Sequence, residues 1–335
     1  MYAPPTISAG CGAARQLRDL PGRVLVATMD EPWALLQQQC AWEPDTVYSL
    51  PDMALVTVEQ ANKTLPECDV VVGVGGGSAC DMAKFIAWKR GCRMVLVPTV
   101  ISVDAPFTPT IAVRVEGKVT YVGEDFPEEV IVDYDLIQAG PAELNRAGAC
   151  DIASIHTALH DWRLSHERTG ELYDEAIAAL ARQCLVELDQ NADEIYDVTR
   201  EGIDTVVDLY CREVEFCSRL GSARPEEGSE HIVAYALEHR TGRHFLHGDL
   251  VGFGIFSMSR LQGNGPEWAR DLMSGIGIRY GCPQATVQEL RDCLAALRDF
   301  KEEAGLFFSV VDVEEITPGF IEDTVSALDD GREES

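Results

Sequence analysis

At 335 residues, the chain is long enough for two domains that each bury their own core. Hydrophobic residues at 46% and charged residues at 25% exclude collagen-like, low-complexity and disulfide-scaffold classes. The 27 basic against 56 acidic residues leave a net charge of -29, which repels nucleic-acid phosphates and anionic lipid and argues against both as partners.

From the N-terminus, MYAPPTISAGCGAARQL has no basic segment followed by an apolar run, and no later stretch reaches the length of a membrane span; a cytoplasmic protein is expected. Near-continuous apolar runs follow at RVLVAT (23–28), ALVTV (54–58), CDVVVGV (68–74), RMVLVPT (93–99) and EEVIVDY (128–134). Such runs predict parallel strands covered on both faces, with helices between them. TIAVRVEGKVTYVGED (110–125) alternates around Glu116-Gly117 and predicts an exposed hairpin. After Pro141 the strand pattern ends, and DIASIHTALHDWRL, YDEAIAALARQCLVELDQNADEIY and EWARDLMSGIGI place apolar residues at helical spacing. The boundary is expected near 138–150, where AGPAELNRAGA supplies Gly and Pro, giving units 1–145 and 146–335. No repeat is visible. Only five lysines occur, so arginine carries most of the positive charge, and the dense acidity suits a salty environment. Eleven cysteines without a C-x-x-C pair are expected to be buried or ordinary thiols.

Two clusters carry chemistry. After the strand CDVVVGV come Gly75, Gly76 and Gly77, then a helix opening near Ser78 and containing Asp81 and Lys84. Glycines let backbone N–H groups approach an anion, and the helix N-terminus adds partial positive charge, which suits a pyrophosphate with Lys84 nearby. The plain alternative is a tight strand-to-helix turn. Asp30, at the end of the first of these strands, either bonds a ribose hydroxyl and rejects a 2′-phosphate or caps the next helix.

All seven histidines lie between 156 and 247. His231 in GSEH and His247 in LHGD are candidate metal ligands, and Asp151 in GACDIASIH is the best carboxylate to join them; two imidazoles and one carboxylate leave a coordination position open. Taken alone, Asp151 reads as a helix N-cap. His156 and His160 read as a solvated helix face, and His239 and His244 as a charged loop or an anion pocket. Arg146, Arg163, Arg240, Arg243 and His244 are the cations near these ligands in sequence, and they motivate a phosphorylated substrate.

Six ordered segments, from TISAGCGAARQL through GVGGGSACDMAK, VPTVISVDAP, AGACDIASIHTALHDWRLS and GSEH to LHGDLVGFG, resemble the superfamily of iron-containing alcohol dehydrogenases, glycerol dehydrogenases and dehydroquinate synthases. Segments 151–165 and GSEH look most like sn-glycerol-1-phosphate dehydrogenases, and VDAP more like glycerol dehydrogenases. The resemblance implies the dehydroquinate synthase-like fold: an α/β, Rossmann-like dinucleotide-binding domain, an all-α metal-binding domain, and an active site in the cleft between them. Carried over by position, Gly75, Gly76, Gly77, Ser78 and Asp81 would hold the pyrophosphate. Thr99 and Ser102 would line the nicotinamide side, Thr108 would touch the cofactor, and Asp104 would contact substrate hydroxyls. Asp151, His231 and His247 match the metal ligands, zinc first and iron(II) as the alternative. Cys150 replaces the glycine usual before the ligand Asp, and Asp249 stands where Glu is commoner.

The expected activity is NAD- or NADP-dependent reduction of a small ketone or ketose phosphate, such as dihydroxyacetone phosphate, to a secondary alcohol. Alternatives are a glycerol, polyol or cyclitol dehydrogenase and, in another class, a sugar phosphate cyclase; against the cyclase stand Asp151 where those enzymes carry Glu and Lys84 where they carry Gly. A homo-oligomer acting on a small molecule is expected.

Overall fold

The computed structural model describes residues 4–328. The chain divides into two compact units between Asn145 and Arg146.

The first unit is built on six parallel strands: β1 (Thr6–Gly10), β2 (Val24–Thr28), β3 (Thr46–Ser49), β4 (Val70–Gly75), β5 (Arg93–Pro98) and β8 (Glu129–Asp133), in the order β1-β8-β5-β4-β2-β3. Every residue of β2 and β4 is buried, as the unbroken apolar runs require. The partly exposed edge strands β1 and β3 were not legible as strands, because their apolar content is too low to stand out. Helices α1 (Asp30–Gln39), α2 (Leu55–Thr64) and α3 (Gly77–Arg90) follow β2, β3 and β4, and α4 (Tyr134–Ala139) follows β8.

One expected strand is a correction: Ala54–Val58 opens α2 instead. The Asp52 carboxylate accepts the Ala54 N–H at 2.8 Å, and only Val58 and Ala61 bury, at helical spacing. Val56 is 76% exposed, so the β-branched run never reaches the sheet, and tertiary context overrides its propensity.

The hairpin forms as β6 (Thr110–Val115) and β7 (Lys118–Glu124), with both turn residues at positive φ, Glu116 at 51° and Gly117 at 79°. It is exposed on one side only. Ile111 and Val113 are buried, and Trp88 of α3 covers Gly123 so closely that an added Cβ there would lie 2.6 Å from the indole.

The second unit holds no strand among the described residues. The long helix α5 (Ala142–Thr169) runs through the AGPAELNRAGA segment, so Gly140-Pro141 starts it and Gly148 lies inside it. Then come α6 (Glu175–Gln190), α7 (Ala192–Tyr196), α8 (Arg200–Leu220), α9 (Ser229–Thr241), α10 (His247–Gln262) and α11 (Pro266–Ile276), with four shorter helices to Ser326. No helix is long and apolar enough to cross a membrane among the described residues.

Candidate functional site

In the second unit, glycines set how closely three helices approach. A Cβ on Gly248, the second residue of α10, would lie 2.3 Å from the Ala147 carbonyl oxygen of α5, and one on Gly254 would lie 2.3 Å from the Glu230 carbonyl oxygen of α9. A Cβ on Gly228, which caps α9, would meet the Ala158 Cα at 2.7 Å. These contacts leave no room for a side chain, so each glycine lets one backbone rest on another. Asp151 lies one turn beyond Ala147, His231 directly follows Glu230, and His247 directly precedes Gly248.

Three side chains therefore converge. One ligand atom from each of Asp151, His231 and His247 lies within 4.8 Å of the others, and His247 Nε2 is 3.2 Å from Asp151 Oδ1. Asp151 and His231 are buried, whereas the His247 side chain is 36% exposed and opens the cluster to solvent. Apart from that contact Asp151 Oδ1 is buried and makes no hydrogen bond, an arrangement that a shared cation satisfies. Asp151 is not an N-cap, as taken alone it would read; it sits in the third turn of α5. Cys150 is fully buried beside it, and burial pushes its thiol well above the usual range, with Asp151, Asp249 and Glu230 adding to the effect.

The residue that sequence reasoning missed is Glu230. Fully buried, it accepts the His231 Nδ1–H at 2.9 Å and the Thr157 hydroxyl at 2.7 Å. Nε2 of His231 is then the ring nitrogen that offers a lone pair once its proton is displaced. Burial works against a charge on His231, but the Glu230 hydrogen bond and charge outweigh it, with Glu227 and Asp151 behind, and raise its pKa to about 9. The available signal was the acid directly before the histidine in GSEH. Asp249 is spoken for by Arg279, which donates to its two oxygens at 3.2 and 2.9 Å.

The remaining histidines and cations are placed differently from expectation. His156 is half-buried, bonded through Nε2 to the Asn264 carbonyl at 2.6 Å and packed on Trp268, so it clamps the α10–α11 connection rather than facing solvent. His160 is also half-buried, and burial lowers the pKa of both. Arg146 lies over Tyr196, Arg163 pairs with Glu175, Arg243 holds both Glu289 oxygens at 2.8 Å, and His244 meets Glu238 at 3.2 Å. Arg240 is exposed in the last turn of α9, nine residues after His231. Arg146, Arg163, Arg243 and His244 thus each meet a partner of their own.

In the first unit, Gly75 ends β4 at φ 145°, Gly76 caps α3, and Gly77 opens it, with Ser78 exposed in its first turn. Added Cβ atoms on Gly75 and Gly77 would lie 3.0 Å from Ala79 and 2.9 Å from Val103, so both need glycine. The first N–H groups of such a helix have no partner within it and carry its positive end.

Two candidates of this loop are corrected. Lys84 is completely buried; its ammonium pairs with Asp81 Oδ1 at 2.7 Å and also donates to the Thr108 and Thr110 carbonyls. Burial raises the Asp81 pKa, with Lys84 pulling it back. Both head groups are consumed in tying α3 to the start of the hairpin, and neither is available to a phosphate.

Asp30 is exposed at the first residue of α1, where Met29 occupies the cap; its carboxylate accepts the Ser49 hydroxyl at 2.7 Å. It is not the N-cap that one reading allowed. Thr99 is buried and continues the strand ladder by donating to the Gly75 carbonyl at 3.1 Å. Ser102 stands beside Gly76, and Asp104 lies in the following turn, where its carbonyl accepts the Phe107 N–H at 2.7 Å. The Thr108 hydroxyl meets that of Thr110 at 3.1 Å.

Comparison with known proteins agrees with this architecture. Residues 33–141 match the family model described as iron-containing alcohol dehydrogenase. A glycerol-1-phosphate dehydrogenase [NAD(P)+] of Hyperthermus butylicus is 33% identical over 290 residues, covering 82% of this chain and 83% of the relative. That of Aeropyrum pernix is 34% identical over 239 residues, covering 70% and 68%. Among solved structures, a probable glycerol dehydrogenase from Sinorhizobium meliloti superposes with a TM-score of 0.74 at 20% identity, covering 100% of this chain and 99% of that one. A sulfoacetaldehyde reductase from Bifidobacterium kashiwanohense, solved with NAD+, has a TM-score of 0.69 at 17% identity, covering 98% of each.

Proposed function

This chain belongs to the iron-containing alcohol dehydrogenase family, and from that premise we propose that it reduces dihydroxyacetone phosphate to sn-glycerol 1-phosphate with NAD(P)H. The observation that carries the chemistry is the convergence of Asp151, His231 and His247 within 4.8 Å around a buried carboxylate oxygen that makes no hydrogen bond. The phosphate preference rests on the glycerol-1-phosphate dehydrogenase relatives rather than on a cation at the cluster.

The first unit would be the dinucleotide-binding domain and the second the metal-binding domain. The loop Gly75–Ser78 would hold the pyrophosphate on the unpaired N–H groups of α3. Asp30 would accept from a ribose hydroxyl, favouring NAD over NADP by repelling a 2′-phosphate. Thr99, Ser102 and Thr108 would line the cofactor, and Asp104 would orient a substrate hydroxyl.

Asp151 Oδ1, His231 Nε2 and a His247 ring nitrogen would hold Zn2+, or Fe2+ from the same donors. When bound, such a cation supplies Lewis acidity to the ketone oxygen at which negative charge develops. The protein's own contribution is positional. Glu230 fixes the His231 ring and tautomer, the glycine contacts fix the three helices, and Asp151 and His231 are themselves buried. The reading extends to a cytoplasmic homo-oligomer, which sedimentation and cell fractionation test.

The direct assay follows NADH absorbance in zinc-loaded protein with dihydroxyacetone phosphate and, in parallel, dihydroxyacetone. Loss of NADH with the phosphate is expected. Loss only with the unphosphorylated ketone makes the chain a polyol dehydrogenase, and bound NADH without turnover on either overturns the reading.

A further inference from the structure

At the end of the sheet away from the glycine loop, two thiols face one another. Cys68 lies two residues before β4 and Cys92 one residue before β5, and these neighbouring strands pair with Val70 opposite Arg93. Their sulfurs are 3.8 Å apart. Neither is bridged: both are free thiols, Cys68 buried and Cys92 half-buried. At that separation a change of side-chain torsion brings them into bonding distance.

A fixed cation stands beside them. Arg90, the last residue of α3, donates to the Asn62 side-chain oxygen at 2.9 Å and to the Asn62, Leu65 and Pro66 carbonyls at 2.6, 3.2 and 2.6 Å. These four bonds immobilise the guanidinium, and its Nη1 rests 3.9 Å from Cys68 Sγ. The hydrogen bond from the Cys92 thiol, opposed by burial and helped by Arg90, lowers Cys68 to about 7, and the same pairing pushes Cys92 up. Thiolate character and a waiting second thiol are what a reversible oxidation site requires.

We propose that Cys68 and Cys92 form a reversible oxidation site, in which Cys68 is the thiol that first attacks a hydroperoxide and Cys92 resolves it to a disulfide. The Cys68 thiolate attacks the terminal oxygen of the hydroperoxide; an S–O bond forms, the O–O bond breaks, and the alkoxide or hydroxide leaves and takes up a proton. Cys68 is then a sulfenic acid, oxidised by two electrons. The Cys92 sulfur attacks Cys68; the S–S bond forms, and the hydroxyl leaves as water with the Cys92 proton. A dithiol reductant reverses the step by exchange. The bridge ties β4 to β5 at the end opposite Gly75, so it staples the sheet and leaves the glycine loop free.

Treatment with stoichiometric hydrogen peroxide, alkylation and peptide mapping by mass spectrometry test it. The expected product is a cross-linked pair of peptides carrying Cys68 and Cys92, lost on dithiothreitol treatment, at a peroxide dose that leaves the exposed Cys11 alkylated. In Cys92→Ser, Cys68 should stall as a sulfenic acid and be trapped by dimedone. Recovery of both cysteines as alkylated thiols at doses that oxidise Cys11, or a Cys92→Ser protein with no dimedone adduct at Cys68, overturns the proposal.

Discussion

With its Nδ1–H donated to Glu230, His231 has only Nε2 to offer a cation once the Nε2 proton is displaced, so a side chain outside the ligand set chooses the nitrogen that can hold it. Glu230→Gln keeps the shape and removes the charge. Zinc affinity, measured by competition with a chromophoric chelator, should fall about 10–100-fold; unchanged affinity would show that Glu230 only fills space. Asp161 gives a second prediction. Fully buried, it accepts the Ser229 and Val310 N–H groups at 2.7 Å each, yet burial raises it from 3.8 to about 6. The unfolded chain therefore gives up this proton first, and the stability that Asp161 contributes, full below the unfolded value, is lost as pH rises through about 6. Asp161→Asn should flatten that interval of the stability curve relative to the parent, and parallel curves would contradict the assignment. At this scale the sequence made the three candidate ligands legible through their donor chemistry. It misled at Lys84, where a lysine after a glycine loop suggests a phosphate partner; the overlooked signal was Asp81 one turn earlier, at ion-pair spacing.

Helix α10 is positioned by what it lacks. An added Cβ at Gly248 would lie 2.3 Å from a backbone oxygen of α5, which has no rotamer by which to yield. Gly248→Ala should cost about 1–3 kcal/mol or more by overpacking and should weaken zinc binding in the same variant, because His247 moves with the helix start. A melting temperature and zinc affinity both unchanged would mean that the helix contact does not place the ligand. Lys84→Met probes the first unit: leaving Asp81 buried without its partner should cost about 3–5 kcal/mol, read by denaturant unfolding. Element type was legible where the period was unambiguous, in the four buried central strands and the long helices. It failed at Ala54–Val58, where a β-branched run is helical because its side chains stay exposed, and at α5, where a mid-helix glycine looked like punctuation. Neither the glycine contacts between helices nor their partners can be read from spacing along one segment, since each depends on a residue in another.

Across the whole molecule, a net charge of -29 favours expansion of the chain. Raising sodium chloride from about 0.1 to 1 M shortens the screening length from about 10 to 3 Å, and the melting temperature should climb over that range; a flat profile would show that the acidic surface is already neutralised locally. The change from strand to helix periodicity after Pro141 was visible in the sequence because buried sheets and helices impose different repeats on it. The convergence of positions 151, 231 and 247 was open only to donor-type reasoning and resemblance, since it is a property of folded helices. The most direct test of the account is the zinc content of the parent and of Asp151→Ala after dialysis against buffered zinc, with far-UV circular dichroism and NADH binding as checks on folding. The account predicts one zinc ion per chain in the parent and none in the variant, with helicity and NADH binding retained. A folded Asp151→Ala protein that still holds its zinc would contradict it.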